Sequence, residues 1–126
     1  MGRRDSTDER WIETKDIVHR RDQGRCRLLR VISAREALIL KKKAGARLSK
    51  IDAAHFLPVS ARPDFCYDPN NICSLNRYSH EMLDSYKDPI TGGSISKEEV
   101  LEWWLRIIGT NKQQYRYLLE KQLIEE

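Results

Sequence analysis

Two histidines, 25 residues apart, are the residues of this chain best suited to chemistry. The chain has three histidines in all, and Asn71 stands 16 residues after His55 and 9 before His80. A neutral imidazole near its ordinary pKa can accept a proton from water at neutral pH. The second imidazole could hold a metal ion, and the amide could fix the geometry between them. This order and spacing predict a site that hydrolyses phosphodiesters.

An acidic residue extends the predicted site. Asp84 follows His80 by four positions, and residues four apart on a helix lie on one face about one turn apart. The two side chains could therefore grip a single cation. A hard divalent ion would neutralise the phosphate and stabilise the leaving oxygen. Oxygen ligands favour magnesium or manganese, while an imidazole ligand also suits nickel or zinc.

A strand–loop–strand–helix unit would bring the two histidines together. Apolar and β-branched residues predict a strand over 51–59 that is broken at Pro58. A loop over 60–69 ends in Asp-Pro, which is a turn signal. A second, antiparallel strand is predicted over 71–75, and three- and four-residue spacing predicts a helix over 77–86.

Helices are predicted on both sides of this unit. Residues 1–7 are expected to form a disordered arm and 8–126 a single domain, whose C-terminal helical pair spans 96–123. His19 has no partner motif and is expected to be an ordinary residue. The flanking elements are a helix over 8–22, a short strand or knuckle over 26–32, a helix with a Ser33–Glu36 capping box that Gly45 ends, a helix from the Ser96–Glu99 capping box to Gly109, and a last helix that starts at Thr110.

The segment from 50 to 86 resembles the HNH endonucleases, the ββα-metal nuclease family. The resemblance rests on His55-Phe-Leu-Pro58-Val-Ser60, on the lead-in Asp68-Pro69-Asn70-Asn71-Ile72 and on the final His80. The Asp-Ala-Ala-His-Phe start and the Trp-rich helix followed by Tyr-Leu-Leu are similar to small bacteriophage versions.

The resemblance implies a fold, an activity and residue roles. We expect an α+β fold in which a ββα-metal hairpin-helix core is flanked by N-terminal and C-terminal helices. The implied activity is metal-dependent hydrolysis of DNA by an endonuclease. His55 resembles the general base, Asn71 the structural amide, His80 a metal ligand and Asp84 a second ligand on the same helix.

The chain departs from the family pattern in two places. Ala54 stands where many members carry a metal ligand, and Asp52, on the same side of the strand, could contribute directly or through water. Cys26, Cys66 and Cys73 form no CxxC pair, so no structural zinc is expected. Three cysteines without a disulfide pattern favour a reducing compartment, which is the host cytoplasm for a phage-encoded chain.

The charge distribution bears on the partner. The net charge is +4, and 20–50 carries eleven basic residues against two acidic ones. A solvated surface and a phosphate-contacting surface both explain such a run. Arg62 in the loop and Arg77 at the start of the motif helix are expected to contact the DNA backbone. A membrane span is not expected, because no run of about 18 apolar residues is present.

Other functions stay open. Ala54 and the missing zinc cysteines also favour a nucleic-acid-binding module with lost or feeble catalysis. Another alternative is an accessory subunit of a phage DNA-processing complex, with Trp103 or Trp104 at the contact. Because these tryptophans are adjacent, only one is expected to face the core squarely. A homodimer is also compatible, since one active site cuts one strand.

Overall fold

The computed structural model describes residues 8–125, in which five α-helices surround a two-stranded antiparallel sheet. The predicted α+β class is therefore confirmed, while the arm predicted over 1–7 lies outside the described residues. No helix within 8–125 is long and apolar enough to cross a membrane. The elements are α1 (Glu9–Arg21), α2 (Ala34–Ala44), β1 (Ile51–His55), β2 (Ile72–Asn76), α3 (Arg77–Asp84), α4 (Lys97–Ile108) and α5 (Lys112–Glu120).

The sheet lies between α1 and the C-terminal helices. β1 and β2 pair with Ile51 opposite Asn76 and His55 opposite Ile72. Side chains on a strand alternate between its faces, so Ile72 packs with α1 residues while Cys73 and Leu75 join the main core with α4 and α5. Every residue of β2 is buried. The hairpin is thus held from both sides, which gives its ends fixed positions.

β2 runs directly into α3 through a buried cap. Asn76 is 0% exposed, and its side-chain oxygen accepts a hydrogen bond of 2.8 Å from the Ser79 amide. Its side-chain nitrogen donates to Cys26 Sγ at 3.2 Å. These bonds fix the first turn of α3 against the sheet, and with it the direction in which His80 points.

Capping signals located most helix ends correctly. Capping boxes at Ser33 and Ser96 begin α2 and α4, as predicted. Gly45 and Gly109 follow these helices at the predicted positions. Asp8 caps α1 through its carboxylate, which accepts hydrogen bonds from the first turn.

Several local predictions were wrong. The predicted strand or knuckle contains a 3-10 helix, Arg27–Arg30, whose first residue is drawn into the core. The first strand ends at His55 rather than at residue 59. The last helix is capped by Asn111, whose side chain accepts from the Gln114 amide, and not by Thr110. These boundaries depend on contacts with distant residues.

Both adjacent tryptophans of α4 are buried, contrary to the prediction that only one faces the core. Trp103 is 8% and Trp104 is 5% exposed. The ring of Trp104 lies 5.8 Å from that of Phe56, while the Arg106 guanidinium covers Trp103 at 4.6 Å. Adjacent side chains on a helix point about 100° apart. Both rings are buried because Phe56 contacts one of them and Arg106 covers the other.

Candidate active site

His80 and Asp84 contact each other on one face of α3. The distance from His80 Nε2 to Asp84 Oδ2 is 3.3 Å, as their four-residue spacing predicts. The Asp84 side chain is 63% exposed and that of His80 is 27% exposed. An imidazole nitrogen and a carboxylate oxygen at this separation can share one cation from the solvent side.

The other ring nitrogen of His80 is held by Asp52. Asp52 Oδ2 lies 3.0 Å from His80 Nδ1, and Arg77 donates to the same carboxylate at 3.0 Å. Burial alone would raise the pKa of Asp52, but the hydrogen bonds with Arg77 and His80 outweigh it and hold the pKa below its ordinary value. The ionised Asp52 therefore favours a proton on Nδ1, which leaves the Nε2 lone pair directed toward Asp84.

Asp52, predicted to contribute to the metal site directly or through water, lies on the Nδ1 side of His80. A carboxylate that accepts from one nitrogen of a metal-binding histidine orients the ring and raises its basicity. Because Asp52 contacts Nδ1 and not the Asp84 side of the ring, it fits this orienting position. Arg77, predicted to contact phosphate, is bound to Asp52 instead and holds that carboxylate in place.

The donor set at His80 and Asp84 fits a divalent ion that keeps several outer ligands. Within residues 8–125, no group of three or more His, Cys, Asp or Glu side chains could hold a metal ion together. Water and phosphate oxygens would complete the shell, as is usual for magnesium. Although the Asp84 side chain is largely exposed, partial desolvation raises its pKa, with a further contribution from Asp52, and a bound cation would counter this rise.

His55 ends β1 and is held by a backbone carbonyl and an aromatic ring. Its Nε2 lies 2.9 Å from the Cys66 carbonyl oxygen. Because a carbonyl oxygen only accepts, Nε2 carries the proton and the lone pair of the neutral ring is on Nδ1. The Trp11 indole stacks on the imidazole at 5.1 Å between centroids and 16° between planes. The ring is thus held in the tautomer whose lone pair lies on Nδ1.

Asp84 connects the two histidines of the predicted site. His55 and Asp84 line the same cavity of about 580 Å³. His80 and His55 both act electrostatically on the Asp84 carboxyl, whose pKa they lower against the effect of burial. Asp84 therefore lies beside both imidazoles, in one cavity with His55 and in direct contact with His80.

Asn71 closes the loop between the strands. It is 0% exposed, and its Oδ1 accepts from the Leu57 amide at 2.8 Å. Its Nδ2 donates to the carbonyls of Leu57 and Phe65 at 3.1 and 3.2 Å. The amide therefore bridges both ends of the loop. Because Cys66 follows Phe65, these bonds also position the carbonyl that orients His55.

Helix α1 supplies site residues that the sequence interpretation did not assign. A cleft of about 410 Å³ on the Asp52 side of His80 is lined by Trp11, Lys15, His19, Ile51, Asp52, Ala53, Arg77 and His80. Burial lowers the pKa of His19, and its Nδ1 lies 3.0 Å from Ser74 Oγ. Trp11, Lys15 and His19 recur every four residues, and this spacing was the signal that they share a face.

Arg21 joins α1 to the hairpin. Its guanidinium donates to the Pro69 carbonyl at 2.7 Å and to the Ile72 carbonyl at 2.6 Å. The basic run contains several arginines, and its sequence does not distinguish this one. The contact fixes α1, and therefore Trp11, relative to the loop that holds His55.

Arg62 lies in the loop, where its guanidinium pairs with Asp64 at 2.9 Å and covers the Phe65 ring at 4.7 Å. The pair is open to solvent, and such exposed ion pairs exchange partners at little cost. A phosphate could therefore replace Asp64, as the sequence prediction for Arg62 requires.

Comparison with known proteins gives no relative for the chain: no family model, no curated protein and no solved structure matches it.

Proposed function

We propose that this protein is a metal-dependent endonuclease of the HNH, or ββα-metal, type that hydrolyses DNA phosphodiester bonds. The observation that carries the proposal is the arrangement around Asp84. Asp84 lines one cavity with His55, an imidazole whose Nε2 is committed to a carbonyl, and on its other side Asp84 contacts His80, with which it could hold a metal ion. Hydrolysis of a phosphodiester needs these two functions at one place.

In this proposal His55 accepts the proton of the attacking water through Nδ1. The new bond forms between the water oxygen and phosphorus, and the bond to the 3′ oxygen breaks. The Cys66 carbonyl and Trp11 keep the imidazole in place while its charge changes. His80 and Asp84 would hold a divalent ion, magnesium or manganese for an oxygen-rich shell and nickel or zinc as alternatives, and Asp52 would orient His80. Such an ion would supply positive charge to the phosphate and the leaving oxygen.

The surface charge supports DNA as the partner. Lys41, Lys42 and Lys43 at the end of α2 and Arg47 just beyond it are all exposed. A cluster of this kind attracts the phosphate backbone whatever the base sequence. A single site cuts one strand, so a nick is the expected product of one copy, and double-strand cleavage would need a dimer or two visits.

A supercoiled-plasmid assay with Mg²⁺ or Mn²⁺ tests the proposal. The native protein should convert supercoiled DNA to the nicked form, and EDTA should stop the reaction. His55→Ala should lower the rate by roughly 10²–10⁴-fold, because the general base is lost. Glu102→Gln, at an exposed position of α4 that lines neither cavity, serves as the control and should still nick. Undiminished nicking by His55→Ala would overturn the assignment.

A catalytically weak or inactive DNA-binding module is the second candidate. The absence of a three-residue ligand group within 8–125 favours it. Metal titration separates the two functions: an endonuclease should bind one divalent ion and lose it in His80→Ala. A pure binding module should bind DNA equally with and without chelator. The accessory-subunit alternative with Trp103 or Trp104 at a contact has no support from the structure, because both side chains are buried.

A further inference from the structure

The cavity that contains His55 and Asp84 extends away from them over an apolar surface. Its volume of about 580 Å³ falls within the roughly 300–1,000 Å³ of small-ligand clefts. Phe56, Leu101 and Trp104 are among the side chains in its walls. A hydrolytic site for phosphate alone does not need such a surface, so the cavity is suited to a flat, largely apolar group attached to the phosphate.

Tyr86 lines this cavity in an unfavourable backbone conformation. Its φ is +56°, in the left-handed region where a glycine is preferred. It follows α3 in a Schellman arrangement, in which the Lys87 amide donates to the Met82 carbonyl at 2.9 Å and the Tyr86 amide to the Leu83 carbonyl at 3.2 Å. The side chain of Tyr86 remains 50% exposed. Stability therefore does not explain a tyrosine here.

Two other helix ends in the chain provide an internal comparison. Gln23 after α1 and Gln122 after α5 adopt the same conformation, each with φ of 59°. They make the same pair of backbone hydrogen bonds, but neither lines the cavity. Of these three left-handed positions, only the one beside His55 and Asp84 carries an aromatic ring.

We propose that the cavity binds one unpaired nucleobase of the DNA strand, stacked on Tyr86. The inference rests on the proposed function, because it takes the strand's phosphate to lie at His55 and Asp84. Every base has a flat face that stacks on an exposed aromatic ring. Glu98 in the wall can accept a hydrogen bond from the amino group of a base. Lys97, also in the wall, can meet the adjoining phosphate.

Binding measurements on three DNAs of one sequence test this inference. The probes are a fully paired duplex, the same duplex with one unpaired base, and the single strand, each with a fluorescent label and in EDTA so that nothing is cut. The native protein should bind the two DNAs with unpaired bases more tightly than the full duplex. Tyr86→Gly should weaken binding to those two by about tenfold, because the stacking contribution is lost. Its affinity for the full duplex should not change.

Two further variants separate stacking from other effects. Gln122→Gly relieves the same backbone conformation outside the cavity and should leave all three affinities unchanged. Tyr86→Phe keeps the ring and should bind as the native protein does. Both glycine variants should melt at or above the native temperature, so unfolding cannot imitate the loss. Native-like binding of the unpaired DNAs by Tyr86→Gly, or no native preference for unpaired DNA, would overturn the inference.

Plasmid nicking in the presence of metal distinguishes this inference from the proposed function. If the native protein and Tyr86→Gly nick equally fast and bind all DNAs equally, the result would support the nuclease and contradict the base-binding site. A preference for unpaired bases that depends on the Tyr86 ring, without any nicking, would support a base-binding surface and contradict the nuclease.

Discussion

Two polar clusters of this molecule, one around Arg27 and one around His80, differ in how completely the protein satisfies them. Arg27 is 0% exposed, and its guanidinium donates to the Ile107 and Ile108 carbonyls at 3.0 and 3.1 Å and to the Thr110 hydroxyl at 3.0 Å. At the other cluster, His80 Nε2 and Asp84 Oδ2 lie 3.3 Å apart and partly open to solvent, and both atoms are acceptors when the imidazole is neutral.

The difference separates a cluster that stabilises the fold from one that can bind a proton or a cation. A buried charge is tolerated only when protein groups pair with it, and Arg27 meets this condition by binding the last carbonyls of α4. Two neighbouring acceptors repel unless a proton or a cation lies between them. The His80 cluster is therefore complete only when something from solution joins it, whereas the Arg27 cluster is complete already.

Arg27→Ala should produce the largest effect on folding. The substitution removes the guanidinium donors from the Ile107 and Ile108 carbonyls. It also leaves Asp22, whose carboxylate lies 3.6 Å from Arg27 Nη1, without one of its counter-charges. We expect a loss of about 3–5 kcal/mol in the free energy of unfolding, measured by urea denaturation. Arg25→Ala, at an exposed position of the same basic run, should change it by no more than about 0.5 kcal/mol. Equal stability of the two variants would remove the structural role of the Arg27 cluster.

Asp52→Asn should act on metal binding rather than on folding. The amide cannot supply the charge that favours a proton on His80 Nδ1, so we expect affinity for Mn²⁺, measured by calorimetry, to fall by roughly 10–100-fold. Asp64→Asn is the matched control, because Asp64 also pairs with an arginine but contacts no histidine. Native affinity in Asp52→Asn would show that the carboxylate does not orient His80. Complete loss, as expected for His80→Ala, would restore the direct-ligand role that the sequence suggested.

The sequence predicted features that depend on nearby residues. Ser33 and Ser96 each stand three positions before a glutamate, so the chain itself contains both halves of the capping box. The pairing of His80 with Asp84 follows in the same way from helical geometry once the helix is identified. Such features need no knowledge of the rest of the fold.

Features that depend on distant contacts could not be predicted. Arg27 lies in a basic run where no neighbour marks it as buried, and its partners are about eighty residues later in the chain. Trp11 lies on a helix that the sequence predicts, but its stacking on His55 depends on how α1 docks. Thr110 and Asn111 can both cap a helix, but the Thr110 hydroxyl bonds to Arg27 and to the Ile107 carbonyl, and Asn111 caps α5.

We expect the smallest effect on stability from the loss of charge at Asp22, and the variant Asp22→Asn tests whether the Arg27 cluster depends on that charge. Burial alone would raise the pKa of Asp22, but hydrogen bonds from Arg21 and the Ser74 amide outweigh it and hold the pKa below the ordinary 3.8. A carboxyl whose pKa is lowered by folding stabilises the protein fully above its unfolded value. This contribution should disappear as the pH falls below about 3.8 through the lower folded pKa. Urea midpoints measured between neutral pH and pH 3 should therefore fall less steeply at the acid end in Asp22→Asn than in the native protein. Parallel pH curves for the two proteins would mean that the charge of Asp22 adds no stability through Arg21 and Arg27. The Arg27 cluster would then depend on hydrogen bonding alone.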